Sequence, residues 1–211
     1  RRRLQPEGMA GGDAALFLFS YDVHTVWLNR EALRRLGIEG RETRLVWGTV
    51  ELDPTTGAVR RSAPLPGRLW GEGIAVTGGT IWQLTYQDGV ALQWDKATLK
   101  VRKQVALTGE GWGLCFDGAR LVQSDGSATL RFRDPRTFGQ TGALTVTLDG
   151  KPLPQVNELE CAGGQVWANV WPTTQIVRIN PASGRVTATV DASGLLTPAQ
   201  EGGTDAMNGI T

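Results

Sequence analysis

Polar side chains cluster around one short pattern in this chain: a polar residue, then glycine, then an apolar residue, or a close variant. The pattern occurs at Glu7-Gly8-Met9, Glu72-Gly73-Ile74, Trp112-Gly113-Leu114, Glu158-Leu159-Glu160 and Asn208-Gly209-Ile210, with Glu110 and Asn157 beside two of these. A carboxyl group walled by apolar rings can take a proton and return it near neutral pH, because burial disfavours its charged form. Other chemistries are poorly served. The single histidine, His24, rules out a multi-histidine zinc site and would have to serve any Ser-His-Asp or Cys-His mechanism alone. Two cysteines, Cys115 and Cys161, make neither a disulfide framework nor a thiolate metal cage.

Composition narrows the class further. The 211 residues fit one domain or two small ones. Lys+Arg number 22 against 21 Asp+Glu, a net charge of +1, so the broad basic footprint of a nucleic-acid binder is missing. No apolar run approaches the ~20 residues of a membrane helix, and no apolar segment follows Arg1-Arg2-Arg3 as in a signal peptide. The 28 glycines imply many turns, and the 8 tryptophans a β-rich body or an aromatic pocket.

The elements that must position the polar residues are short strands. Runs such as Ile81-Trp82-Gln83-Leu84 and Val166-Trp167-Ala168-Asn169-Val170 are bounded by Gly-rich turns. Asx-centred turns follow at Asp53, Asp95, Asp134 and Asn180. Only Arg30 to Leu36 resembles a helix, and it is read as loop or one or two helical turns. The markers Gly8, Gly73, Gly113, Leu159 and Gly209 are separated by 65, 40, 46 and 50 residues. Four strands in roughly 40–50 residues predict the blades of an all-β, five-bladed β-propeller. The chain reads as a single domain over 1–211, with blades starting near 7, 72, 112, 158 and 208 and an inserted loop at about 30–44. The fifth blade is incomplete, having only its first strand. The marker strands are expected to be innermost, so Glu7, Glu72, Glu110, Trp112, Asn157 and Glu158 converge on one mouth of the channel.

Several motifs in order resemble the plant- and bacterial-type glutaminyl cyclases (glutamine cyclotransferases), which are five-bladed β-propellers. They are Trp70-Gly71-Glu72-Gly73-Ile74, Ile81-Trp82-Gln83-Leu84-Thr85, Gly109-Glu110-Gly111-Trp112-Gly113-Leu114, Ser124-Asp125-Gly126-Ser127-Ala128-Thr129-Leu130, Asn157-Glu158-Leu159-Glu160, Ala168-Asn169-Val170-Trp171 and Asn208-Gly209-Ile210. The match runs from about Leu45 to the end. Gln5 stands where the family has an aromatic, Tyr86 where it has a tryptophan, and the later segment carrying the family's pocket lysine is absent.

The resemblance implies conversion of an N-terminal glutamine to pyroglutamate with release of ammonia. The α-amine attacks the side-chain amide carbon, and one carboxyl acts first as base and then as acid. Ring closure is intramolecular, so no cofactor is required. The implied shuttle is Glu72, with Asn157 and the Trp112 indole N–H as donors to the amide oxygen. Trp70, Tyr86 and Trp171 would line the pocket, and Glu7 would hold the substrate amine. Asp125 either reaches the channel or makes a turn. Some relatives bind a structural metal, but no ligands for one can be named here. The implied partner is a peptide or protein with N-terminal glutamine, with no nucleic acid and no membrane. The implied protein is a monomer, exported to the periplasm or outside the cell. The alternatives are a non-catalytic propeller that binds a peptide or protein partner, and a metal-dependent propeller hydrolase such as a lactonase.

Bland roles are expected elsewhere. Trp82, Trp94 and Trp167 belong to the core between blades; Asp53, Asp134 and Asn180 make turns; His24 is at the surface. Cys115 and Cys161 fall at the same repeat position in neighbouring blades, an arrangement that does not bring their Cβ atoms to disulfide distance. Two free, buried thiols are therefore expected.

Overall fold

The structure is a computed structural model. It describes residues 61–194 with their side chains, and the backbone of strands at 17–20, 26–28, 48–52, 59–60 and 207–208. Every regular element among the described residues is a strand. Near the N-terminus lie β1 (Phe17–Ser20), β2 (Val26–Leu28), β3 (Gly48–Leu52) and β4 (Val59–Pro64). The first four-stranded antiparallel sheet is β5 (Gly71–Thr77), β6 (Thr80–Thr85), β7 (Val90–Asp95) and β8 (Lys100–Ala106). The second is β9 (Leu114–Phe116), β10 (Leu121–Gln123), β11 (Thr129–Arg133) and β12 (Gln140–Thr145), followed by a small hairpin, β13 (Thr147–Leu148) and β14 (Lys151–Pro152). The third is β15 (Val156–Ala162), β16 (Gln165–Val170), β17 (Gln175–Ile179) and β18 (Val186–Asp191). Each four-stranded sheet meanders in chain order, so its first strand is an edge strand. The last element, β19 (Met207–Asn208), pairs antiparallel with β1, Phe19 opposite Asn208. Asn208, the first residue of the fifth marker motif, thus enters a three-stranded sheet with β1 and β2. Glu7, Gly8, His24, Asp53, Gly209 and the inserted loop at 30–44 lie outside the described residues.

One turn recurs in all three sheets, between the third and fourth strands. Asp95, Asp134 and Asn180 each accept backbone N–H bonds from residues two or three further on, with Thr98, Thr137 and Ser183 among the donors. The side chain thereby mimics a backbone turn. The fifth residue donates its N–H to the Asx carbonyl and has positive φ: Leu99 at 51°, Phe138 at 67° and Gly184 at 73°. Leu99 and Phe138 tolerate this conformation because their side chains are buried in the core, and that burial offsets the cost of a left-handed non-glycine residue. Asp134 and Asn180 are the turn residues the sequence predicts.

The cores lie between sheets. Trp82, Leu84 and Leu107 pack with Leu114, Leu121 and Phe138, joining the first sheet to the second. The Trp82 indole N–H crosses to the Pro135 carbonyl at 2.8 Å. Cys115, Val122 and Leu130 pack with Leu159, Val166 and Val177, joining the second to the third. Fully burying one such aliphatic or aromatic side chain contributes about 1.5–3 kcal/mol. Trp82 and Trp94 are core residues as expected, whereas Trp167 is half-buried beneath the Arg178 guanidinium.

The first strands of successive sheets lie against one another so closely that glycine is required. A Cβ on Gly73 would sit 2.5 Å from the Trp112 carbonyl oxygen, and one on Gly113 would collide with the Asn157 carbonyl oxygen. Ser124 fastens the same junction: its hydroxyl accepts from Gly113 N at 2.7 Å and donates to Asn157 O at 2.6 Å. Ser124→Ala leaves both groups buried without this partner. It should lower stability by about 1–3 kcal/mol, read as a fall in the urea midpoint; an unchanged midpoint would mean the clasp contributes nothing.

The cysteine expectation is corrected. Cys115 and Cys161 form a disulfide, with Cα atoms 5.5 Å apart. The reason is register. Cys115 pairs with Val122, as Ala75 pairs with Trp82, whereas Cys161 pairs with Val166, as Val76 pairs with Ile81. The two cysteines therefore differ by one place in the repeat, and one place in a strand reverses the side-chain face. They face each other across the junction instead of pointing the same way around it.

Candidate active site

Three β-bulges build the site. In β5, Gly71 pairs with Thr85 and Ile74 with Gln83, so Glu72 and Gly73 oppose Leu84 alone. In β15, Val156 pairs with Val170 and Leu159 with Ala168, so Asn157 and Glu158 oppose Asn169. Ahead of β9, Trp112 N and Gly113 O both bond to Ser124, at 3.3 and 3.0 Å. A bulge bends its strand and re-aims a side chain. Glu72, Trp112 and Asn157 hold the same place in the three bulges, one per sheet. Direct contact between neighbouring bulges brings them together: Gly73 N donates to Trp112 O at 2.8 Å.

The aromatic residues follow from the same repeat. Tyr86 comes directly after β6 and Trp171 directly after β16, and each donates its backbone N–H to the segment before its sheet, to Trp70 O and Gln155 O respectively, both at 2.9 Å. Trp70 and Tyr86 stand with ring centroids 6.4 Å apart, and Trp171 meets Trp112 edge to face at 6.0 Å. In the second sheet the corresponding place is taken by Gly126, where a Cβ would fall 2.6 Å from the Trp112 ring. Glycine there makes room for the indole.

Burial raises three carboxyls of these strands, Glu72 among them. Burial pushes the Glu72 carboxyl up to about 8, against a hydrogen bond from the Trp70 indole N–H at 3.0 Å that favours the charged form; the Glu110 charge adds a smaller upward push. Glu158 is also pushed up to about 8, first by burial, with Glu72 and Glu160 adding to it and the Leu159 N–H opposing. Glu160 is raised by burial alone.

Other predicted residues stand differently. The Trp112 N–H donates to Glu110 Oε2 at 2.8 Å, and the Gln87 amide donates to Glu110 Oε1 at 2.6 Å. In this state Trp112 is a wall anchored through Glu110, and donation to a substrate would require exchanging that bond. Asp125 has the turn role. One of its oxygens accepts from Ser127 N and Oγ, and the other is paired with Arg131. Asn157 is buried at the junction, its carbonyl held by Ser124. Glu110 was expected at the channel mouth, though not its bonds to Trp112 and Gln87. Gln87, Ser124 and Gly126 contribute to the site without having been assigned to it from sequence; Ser124 and Gly126 fall within a motif of the family resemblance, whereas Gln87 left no signal. Among the described residues, no group of three or more His, Cys, Asp and Glu side chains is arranged to hold a metal ion.

Fold and site together define a protein of successive antiparallel sheets whose first strands carry buried carboxyls, Glu72 among them beside aromatic side chains. The chain belongs to the glutamine cyclotransferase family, whose model matches residues 37–211. It is 33% identical over 164 residues to a glutaminyl-peptide cyclotransferase of Arabidopsis thaliana, covering 76% of this chain and 51% of that protein. The chain thus spans about half the length of this relative. The crystal structure of Myxococcus xanthus glutaminyl cyclase is similar with a TM-score of 0.66 and 36% identity, over 74% of this chain and 66% of that one.

Proposed function

We propose that the chain carries the active site of a glutaminyl-peptide cyclotransferase, with Glu72 as its proton shuttle. The observation that carries this reading is the Glu72 carboxyl, raised to about 8 by burial and held on a bulge in contact with Trp112. A carboxyl with this proton affinity exists in both forms near neutral pH, as a group that must first accept and then donate a proton requires. The Glu72 carboxylate takes a proton from the substrate α-amine as the amine nitrogen bonds to the side-chain amide carbon. The tetrahedral intermediate then collapses, the C–N bond of the amide breaks, and Glu72 returns the proton to the departing nitrogen, giving ammonia and pyroglutamate. Asn157 and Trp112 are the proposed donors to the oxygen that gains charge. Trp70, Tyr86 and Trp171 wall the pocket, and Glu7 holds the amine.

The marker spacing supports a single five-bladed propeller domain, and the curated relative supports peptides or proteins with N-terminal glutamine as substrates. The proposed compartment is outside the cytoplasm, and the Cys115–Cys161 disulfide supports it, because such bonds persist in oxidising compartments. The test is incubation of the chain with a peptide bearing N-terminal glutamine. The expected result is enzyme-dependent release of one ammonia per peptide, with loss of the free amine. Peptide binding without ammonia release would overturn the catalytic reading in favour of a binding module.

A further inference from the structure

We propose that Glu110 is a positioning residue of this site: braced by Gln87 from the neighbouring sheet, it fixes the Trp112 indole that walls the pocket, and so sets how well substrate is held. The proposal rests on the cyclotransferase reading for its kinetic consequence, though not for its first test.

The backbone that follows Glu110 is held at each residue. Gly111 N donates to the carbonyls of Thr85 and Tyr86, at 3.1 and 2.9 Å, and a Cβ on Gly111 would sit 2.5 Å from Thr85 O. Trp112 N donates to Ser124 O, and Trp112 O accepts from Gly73 N. What the backbone leaves open is the direction of the indole, a large ring carried on two side-chain torsions. Glu110 closes that choice. Residues two apart in an extended chain stand on the same face, and Glu110 Oε2 accepts the Trp112 N–H at 2.8 Å. Glu110 Oε1 in turn accepts from the Gln87 amide at 2.6 Å.

Gln87 belongs to the turn between β6 and β7, directly after Tyr86. The same turn grips the segment before the first sheet: Tyr86 N donates to Trp70 O at 2.9 Å, and Trp70 N donates to Asp88 Oδ2 at 2.7 Å. One turn thus ties the Tyr86 and Trp112 walls together across the junction of two sheets. The first sheet carries the same indole–carboxyl pair in reverse order. There the indole comes first and the carboxyl stands on the bulge, with the Trp70 N–H on Glu72 Oε1 at 3.0 Å. In the second sheet the carboxyl comes first and the indole stands on the bulge. The carboxyl on the bulge is the proposed shuttle. The carboxyl ahead of the bulge has both oxygens occupied, by Trp112 and Gln87, and holds a ring.

The first test is solvent exchange of the Trp112 indole N–H in the resting protein, followed by NMR and assigned by its loss in Trp112→Phe. Glu110→Ala should speed that exchange about tenfold or more, as expected for loss of a hydrogen bond to a charged group; Gln87→Ala should speed it less. The second test is a kinetic cycle. Glu110→Ala should lower kcat/KM about tenfold, mainly through KM, because a wall contact acts on substrate and transition state alike. In the Trp112→Phe background the same substitution should cost little more, since the N–H through which Glu110 acts is already gone. Glu110→Gln, which keeps an oxygen acceptor without the charge, should recover part of the loss. Unmoved exchange in Glu110→Ala would overturn the proposal, as would a full tenfold loss in the Trp112→Phe background or a Glu110→Gln variant as impaired as Glu110→Ala. Faster exchange in Glu110→Ala with no ammonia release by the wild type would support the brace and sink the cyclotransferase reading instead. If Glu110→Ala does not fold, Gln87→Ala, at an exposed position, decides by the same two measurements.

Discussion

Glu72→Gln is expected to lower the rate of cyclisation roughly 10²–10⁴-fold, the usual contribution of general acid–base catalysis. The substitution keeps size and planarity, and the glutamine oxygen can still accept from the Trp70 indole, as Glu72 Oε1 does at 3.0 Å. The bulge, enforced by Gly73 against Trp112 O, does not depend on the carboxyl. What disappears is the proton acceptor. Trp112→Phe should cost less, since it removes one N–H, already engaged by Glu110, and keeps most of the wall. A Glu72→Gln variant with its rate nearly intact would make Glu72 structural and move the search to Glu7 or Glu158. The same variant has a signature in stability. Burial raises the folded-state value of Glu72 from 4.5 to about 8. Its neutral form is therefore favoured on folding, a stabilisation that is full below about 4.5 and lost as pH rises through about 8. Urea midpoints of the wild type should fall over that window more steeply than those of Glu72→Gln. Parallel curves would contradict burial of this carboxyl.

Replacing Cys115 and Cys161 by alanine together should cost about 4 kcal/mol of stability. The bond closes a loop with a sequence separation of 46, and the chain-entropy relation for such a loop falls between about 3 kcal/mol for 15 residues and about 4.7 for 100. In a domain of this size the melting temperature should drop by about 8–16 °C. The bond joins β9 to β15 two residues beyond Gly113 and four beyond Asn157, so the variant should also loosen the contact on which Trp112 and Asn157 depend. The measurement is thermal unfolding of the wild type with and without reductant, beside the double variant. Coincident transitions in all three would show that the bond contributes nothing to stability.

Much of the local structure was legible because it depends on local chemistry. The Asx turns at Asp134 and Asn180 were readable, since a side-chain acceptor two or three residues before its donors needs no distant partner. The crowding around Gly73 was readable too, from glycines flanking Glu72, although what crowds it, the Trp112 carbonyl, comes from another sheet. Glu72 itself stood out as a carboxyl among tryptophans in a repeated motif. Its neighbour Glu110 was seen as polar and convergent, but its bonds to Trp112 and Gln87 depend on side-chain directions that spacing does not specify.

The tertiary structure decided register. By similarity of pattern, Glu158-Leu159-Glu160 matches Glu72-Gly73-Ile74; by hydrogen bonding, Leu159 pairs with Ala168 as Ile74 pairs with Gln83, so Asn157 is the counterpart of Glu72. That single place carries Cys161 to the opposite face and into a disulfide with Cys115, and puts Glu158 where the other two sheets have glycine. The sequence by itself determined which residues are strand, which are turn, and which carboxyls are candidates, because those preferences are local. Which side chains meet was settled only when the strands paired. In a strand the side-chain direction reverses at every residue, and an extra residue in a bulge shifts that alternation without leaving a mark in composition or spacing.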